Sequence, residues 1–254
     1  MPRTETIALG LLQGPAELLP VSSSAHVGLL PWALGWSHAE LTGAERKEVE
    51  VALHAGTAIA LALADRRRPR WGLLAAATVP PALAGLLLER PIEARLGTPP
   101  TIAAGLLAGA VAMVLADRTP ALRGAQEAGA ADGAWLGAAQ ALALIPGVSR
   151  SGATRAAARG RGFGRADAAA LSREVALPVL AGAAALKGVR LARRRPRADT
   201  LQTLAAGVAA AAASTWAALR AERALAADAP LAAWAAYRTV LAAAILVVWQ
   251  DRGG

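Results

Sequence analysis

Two stretches of this 254-residue chain interrupt its apolar character in the same way, and they constrain the fold more than any other feature. Residues 10–26 read GLLQGPAELLPVSSSAH and residues 137–154 read GAAQALALIPGVSRSGAT. Each opens on a glycine, carries a glutamine three residues later, runs through a short apolar segment, breaks at a proline (Pro20, Pro146) and ends in a serine-rich turn. Lipid offers no partner to a hydroxyl or a freed backbone group, so irregular backbone at membrane depth survives only where it lines a cavity. Two such breaks in corresponding halves point to a substrate site at the meeting of an inverted repeat.

The membrane setting itself comes from composition. The chain is 55% hydrophobic, and its Ala, Leu and Val fall in blocks. Trp32, Trp71, Trp135 and Trp249 lie near block ends, where interfacial anchors belong. A net charge of +9 suggests nucleic acid only at first sight. The basic residues cluster in short loops, as at Arg66, Arg67, Arg68 and Arg70 or Arg193, Arg194, Arg195 and Arg197, a pattern that suits anionic lipid; no nucleic-acid partner is expected. There is no cysteine, hence no disulfide and no thiolate metal site. The N-terminal apolar segment lacks a basic leader and contains the first break, so it does not read as a cleaved signal peptide.

Three apolar blocks follow each break: 51–64, 71–88 (with a kink expected at Pro80 and Pro81) and 101–116, then 166–186, 201–219 and 231–249. Residues 32–50 read as a surface connection with a short amphipathic helix, 89–100 as a loop, and 117–132 as the link between halves. The expected fold is all-α: a polytopic membrane protein of about six transmembrane helices plus two re-entrant broken helices. It forms one domain over 1–254, with halves of about 1–125 and 126–254. Basic loops fall on both sides of that topology, so charge alone does not orient it.

Gln13 and Glu17 are four apart and share a helix face, on a helix expected to start near Gly14 because Pro15 is tolerated in a first turn. Glu17 is either a solvated charge at a membrane face or, with Gln13 and phosphate oxygens, a ligand of Mg²⁺ or Ca²⁺. Ser22, Ser23 and Ser24 with His26 combine candidate nucleophiles with a candidate base, or cap a helix starting near Ala25. In the second break Gly147 and Gly152 permit tight backbone, Ser149, Ser151 and Thr154 supply hydroxyls, and Arg150 supplies a guanidinium suited to phosphate. A helix beginning near Ser151 would aim free N–H groups at the same anion. The competing reading is a structural turn with Arg150 reaching for the interface. The run is not a phosphate-binding GxxxxGK[ST] loop. His54 is expected one layer behind the site, and His38 with Glu40, Glu45, Glu48 and Glu50 on a loop surface.

At these residues the chain resembles the bacterial undecaprenyl-diphosphatase (bacitracin-resistance) family. The (E/Q)xxxE element reads Gln13 to Glu17, the PVSS-plus-His element reads Pro20 to His26, and PGxSRSGAT is present in full from Pro146 to Thr154. The resemblance implies a membrane enzyme that removes one phosphate from undecaprenyl diphosphate and regenerates the lipid carrier of envelope polymers. Its partners would be that lipid and the membrane, with a homo-oligomer left open, and its pocket would open to the outer face of the bacterial cell membrane. It implies Glu17 and Gln13 in metal and phosphate handling, Ser23 or His26 as nucleophile or proton-transfer partner, and Arg150 clamping the diphosphate beside Ser149, Ser151 and Thr154. Three departures stand out: Gln13 for the frequent Glu, Ala25 for the frequent Gly, and the charged pair Arg173–Glu174 in a usually uncharged run. A carrier that moves a polyprenyl phosphate without cleaving it is the main alternative, since transporters share this architecture. A non-catalytic scaffold fits poorly with polar residues at both breaks.

Overall fold

The computed structural model describes residues 2–64, 68–226 and 228–252, so Arg66 and Arg67 of the expected basic loop lie outside the described residues. The elements are α1 (Arg3–Leu18), α2 (Ser23–Leu34), a 3₁₀ turn (Ser37–Glu40), α3 (Gly43–Ala64), α4 (Trp71–Leu96) and α5 (Pro99–Ala116). After a connection come α6 (Ala130–Leu142), α7 (Arg150–Gly160), α8 (Arg165–Arg193), α9 (Ala198–Ala221) with a π turn (Glu222–Ala226), and α10 (Leu231–Asp251). No β-strand occurs among the described residues, only a bridge between Arg123 and Phe163. The protein is an all-α, polytopic membrane protein: α4, α5, α8, α9 and α10 are the five described helices long and apolar enough to cross a bilayer.

Local chemistry moves several boundaries away from the apolar blocks. Residues 43–50, expected in a surface connection with a short helix of its own, instead form the first turns of α3, because Thr42 and Glu45 cap them reciprocally: Thr42 N–H and Oγ1 donate to Glu45 Oε2 at 2.9 and 2.7 Å, and Glu45 N–H returns to Thr42 Oγ1. The charges in those turns keep α3 out of the five apolar spans. Residues 89–96 continue α4 instead of looping, and α5 starts at Pro99 behind a Thr98–Thr101 capping box. Pro15 lies inside α1 and not at its start. The neighbouring Gly14 N–H donates to Ser214 Oγ on α9 at 3.2 Å, so the proline is accommodated at a helix contact. That contact is close: a side chain at Gly14 would place its Cβ 2.3 Å from the Thr215 backbone nitrogen.

Packing is exchanged between the two ends of the chain. The first helix, α1, packs on α9, while α6 packs on α4; α3 packs on α8 and α9, and α5 lies along α10. Leu9, Leu53, Leu204 and Ala211 fill one core, Leu18, Leu61, Ala176 and Leu219 another, and Leu73, Leu136, Phe163 and Val175 a third. Large apolar side chains such as Leu87 and Val240 face outward, 74% and 70% exposed, which a lipid environment explains. His38, expected at the surface, is buried, with its N–H donating to Glu5 Oε2 at 2.7 Å.

The connection after α5 is stapled by ion pairs outside the spans. Asp132 receives Arg123 through two bonds of 3.0 and 2.9 Å, Arg161 at 2.6 Å and the Gly129 N–H at 3.0 Å. The Arg123 hydrogen bonds outweigh burial and hold the Asp132 carboxyl well below the usual carboxylate range.

Candidate active site

The two breaks share one backbone device. Ser22 and Ser149, each just before a helix, have positive φ angles of 76° and 70°; the only other described non-glycine residue in that region is Arg195. Such conformations cost about 1 kcal/mol or more and persist where surrounding contacts hold them. At Gly147 (φ +91°) nothing larger is accommodated, since a Cβ would lie 2.1 Å from the Ile102 carbonyl oxygen. Helix α2 begins at Ser23 and α7 at Arg150, slightly earlier than the sequence suggests.

Glu17, only 4% exposed at the end of α1, gathers the reactive groups. Its Oε2 accepts from Ser23 Oγ at 2.7 Å and from Gln13 Nε2 at 3.3 Å; its Oε1 accepts from Arg150 Nε at 3.0 Å. The Arg150 fork is completed by the Glu17 carbonyl (3.2 Å) and the Ser172 carbonyl (3.0 Å). Acid and hydroxyl thus come from the first break, and the guanidinium reaches them from the second. His54 on α3 stands beside them, with Nε2 3.6 Å from Glu17 Oε2 and Nδ1 donating to the Glu50 carbonyl at 2.8 Å.

The remaining residues singled out by sequence fall into two groups. Ser24 Oγ lies 3.0 Å from Ser22 Oγ and accepts from the Gly147 N–H at 3.3 Å, a direct bond between breaks. His26 is bonded neither to Ser23 nor to Glu17: Nδ1 donates to the Ser22 carbonyl at 2.8 Å, so Nε2 accepts from Tyr237 Oη at 2.6 Å in the neutral ring. The buried hydroxyls of the second break serve the backbone. Ser149 Oγ caps the Gly152 N–H at 3.2 Å, Ser151 Oγ donates to the Leu19 carbonyl at 2.8 Å, and Thr154 Oγ1 donates to the Arg150 carbonyl at 2.8 Å.

The chain matches the family model of the bacitracin resistance protein BacA over residues 6–244. It belongs to that family. Among similar proteins, an undecaprenyl-diphosphatase of Geobacter sulfurreducens is 43% identical, the match covering 81% of this chain and 83% of the relative. Another, of Pelotomaculum thermopropionicum, is 39% identical over 72% of this chain and 74% of its own. A third, of Moorella thermoacetica, is 35% identical over 96% and 97%.

For a BacA-family chain, the groups missed by sequence reasoning are instructive. Tyr237 and Arg238 reach the breaks from α10, and Ser172 supplies a carbonyl to Arg150 and a hydroxyl 2.6 Å from Thr154 Oγ1. One signal for Arg238 was present: an arginine inside an apolar block is a flag for function in a membrane. The unusual charged pair at 173–174 is paired internally: Arg173 reaches Glu222 at 2.7 Å, and Glu174 takes both arms of Arg70 at 2.9 and 2.5 Å.

Proposed function

We propose that this protein is an undecaprenyl-diphosphate phosphatase, hydrolysing undecaprenyl diphosphate to undecaprenyl phosphate and inorganic phosphate, and thereby sustaining cell-wall precursor recycling and bacitracin resistance. The observation that carries the mechanism is the 2.7 Å bond from Ser23 Oγ to Glu17, whose other oxygen is paired with Arg150. It joins a nucleophile, a base and a phosphate-binding cation in one cluster around the buried Glu17 carboxylate.

In the reaction, Arg150 exchanges Glu17 for the phosphate oxygens and neutralises charge that develops on them. Ser23 Oγ attacks the terminal phosphorus while its proton passes to Glu17 Oε2. The bond from phosphorus to the bridging oxygen breaks, and undecaprenyl phosphate leaves with the electron pair. Water then attacks the phosphoserine, Ser23 takes its proton back from Glu17, and phosphate departs. This route is favoured over water activated by His26, because the described bonds of Ser23 lead to Glu17 whereas those of His26 lead to Ser22 and Tyr237. His54 is assigned the task of positioning Glu17 from behind.

A divalent cation, Mg²⁺ or Ca²⁺, belongs to the same proposal. No group of three His, Asp or Glu able to hold a metal occurs among the described residues. Gln13 Nε2, however, donates to Glu17 at 3.3 Å, so a half-turn of the amide would set its oxygen beside the carboxylate as a second hard donor. Gln13 and Glu17 would hold the ion, with diphosphate oxygens completing the shell. Bound there, it would supply charge neutralisation additional to that of Arg150.

The architecture proposed is one membrane unit of two inverted halves, about 1–125 and 126–254, supported by the reciprocal packing of α1 on α9 and α6 on α4. From the family resemblance, we assign it to the bacterial plasma membrane with its pocket toward the outer face. Phosphate release from undecaprenyl diphosphate by detergent-purified protein, with and without chelator, tests the reading. Chelator-sensitive release is expected; lipid movement without release would mean a carrier.

A further inference from the structure

The least conventional residue of the molecule is Arg238, two turns into α10. It is fully buried, and no carboxylate pairs with it among the described residues. A guanidinium inside a membrane protein is costly, and the usual solution is a carboxylate partner. Here its whole fork is spent on main-chain carbonyls. Nε donates to Leu106 at 3.1 Å, Nη1 to Pro20 at 3.2 Å, and Nη2 to Gly147 and Val148 at 2.9 and 3.0 Å and to Gly105 at 3.3 Å.

Those acceptors are not scattered. Pro20 precedes the positive-φ Ser22 by two residues, and Val148 immediately precedes the positive-φ Ser149. One planar cation therefore holds the peptide that enters Ser149 and the one a residue before Ser22, joins the first break to the second, and fastens both to α5. The surroundings are cut to fit it: a Cβ on Gly109 of α5 would lie 2.3 Å from Nη2 and 2.8 Å from the Val148 carbonyl oxygen. The neighbouring Tyr237 meets His26 from the same helix turn.

We propose that Arg238 is a positioning residue for phosphoryl transfer, the tie that keeps the Ser23–Glu17 side of the site in register with the Arg150 side. This rests on the phosphatase reading above. The tie needs the shape of the guanidinium as well as its charge, because an ammonium group on a flexible stem cannot hold three chain segments in one plane. A displacement of about 1 Å in a reacting pair lowers turnover on the order of a hundredfold.

The test combines turnover with a distance measurement on the full chain in detergent. With no native cysteine, spin labels at Gly28→Cys on α2 and Leu142→Cys on α6 report the separation of the two broken segments. Arg238→Lys and Arg238→Gln are expected to lower kcat by about a hundredfold with KM changed by less than about threefold, and to broaden the label distance distribution. Gly109→Ala, which keeps the charge but crowds the fork, should move both readouts the same way; it decides the matter if the Arg238 variants do not fold. Near-normal kcat in Arg238→Lys, or in folded Gly109→Ala, overturns the tie. So does a distribution as narrow as that of the parent in a slowed variant. Failure of the unsubstituted protein to release phosphate would sink the phosphatase reading instead, while the label distances would still judge the tie.

Discussion

The two breaks carry the same backbone device and put it to different uses. In the first, side chains bond to one another: Ser23 to Glu17, Gln13 to Glu17 and Ser22 to Ser24. In the second, Ser149, Ser151 and Thr154 each bond to a backbone group, Ser151 reaching the Leu19 carbonyl of the first half, and Arg150 is the one side chain of this break that bonds to a reactive side chain of the first. The paired glutamines diverge in the same manner. Gln13 faces the site, whereas buried Gln140 donates to the carbonyls of Ala77 and Val175 at 3.0 and 3.3 Å. A strained serine turn before a helix is thus a framework, and chemistry depends on whether the neighbouring hydroxyls are left for side chains or consumed by main chain.

The contrast is broken most easily from the reactive side. Arg150→Ala and Ser23→Ala are each expected to lower kcat/KM by at least about 10³-fold, a loss typical of removing a transition-state cation or a nucleophile; Tm should change little in Ser23→Ala and fall in Arg150→Ala, which leaves the buried Glu17 carboxylate without its cation. Comparable losses in Ser149→Ala or Thr154→Ala without a Tm change would erase the distinction. A smaller effect is expected at His54: His54→Gln should reduce kcat about tenfold, because Glu17 keeps Ser23 and Arg150 but loses its support from α3. Ser151→Ala should act on stability, costing about 1 kcal/mol as one buried bond to the Leu19 carbonyl is lost. That carbonyl keeps its bond from the Val21 N–H, which limits the cost. Thermal unfolding in detergent would read it, with the folded fraction retaining at least about a third of parental kcat.

Acid should produce the mildest effect, and away from the site. Asp132 has a depressed pKa because Arg123 hydrogen-bonds it, so its contribution is complete above the usual carboxylate range and is lost as pH falls through the lowered folded value. The Tm of the parent is expected to decline in acid more steeply than that of Asp132→Asn, which starts lower but has no proton to gain there. Parallel Tm profiles would remove Asp132 from the account.

Much of this was legible in the residues, for reasons that can be named. Glycine, proline and serine in a lipid-soluble chain have few uses, so Gly147, Pro20, Pro146 and the serines announced the breaks. The spacing of Gln13 and Glu17 placed both on one face, and they are bonded. What stayed hidden depended on contacts across the fold. Pro15 resides in the last turn of α1, where Ser214, distant in sequence, accommodates the adjoining Gly14. His26 beside Ser23 in the chain suggested a pair, yet the turn at Ser22 sends the imidazole to Tyr237 and the hydroxyl to Glu17. Arg238 vanished into an apolar block because hydropathy averages over one charge, and its five carbonyl partners come from three separate stretches of chain.

The most direct measurement is single-turnover phosphate release from undecaprenyl diphosphate by the parent, Ser23→Ala and Arg150→Ala proteins, each shown to be folded by its thermal transition. One site assembled from both breaks predicts release by the parent and a loss of at least about 10³-fold in each variant, although the two residues lie in different halves. Near-parental release by either folded variant would contradict it.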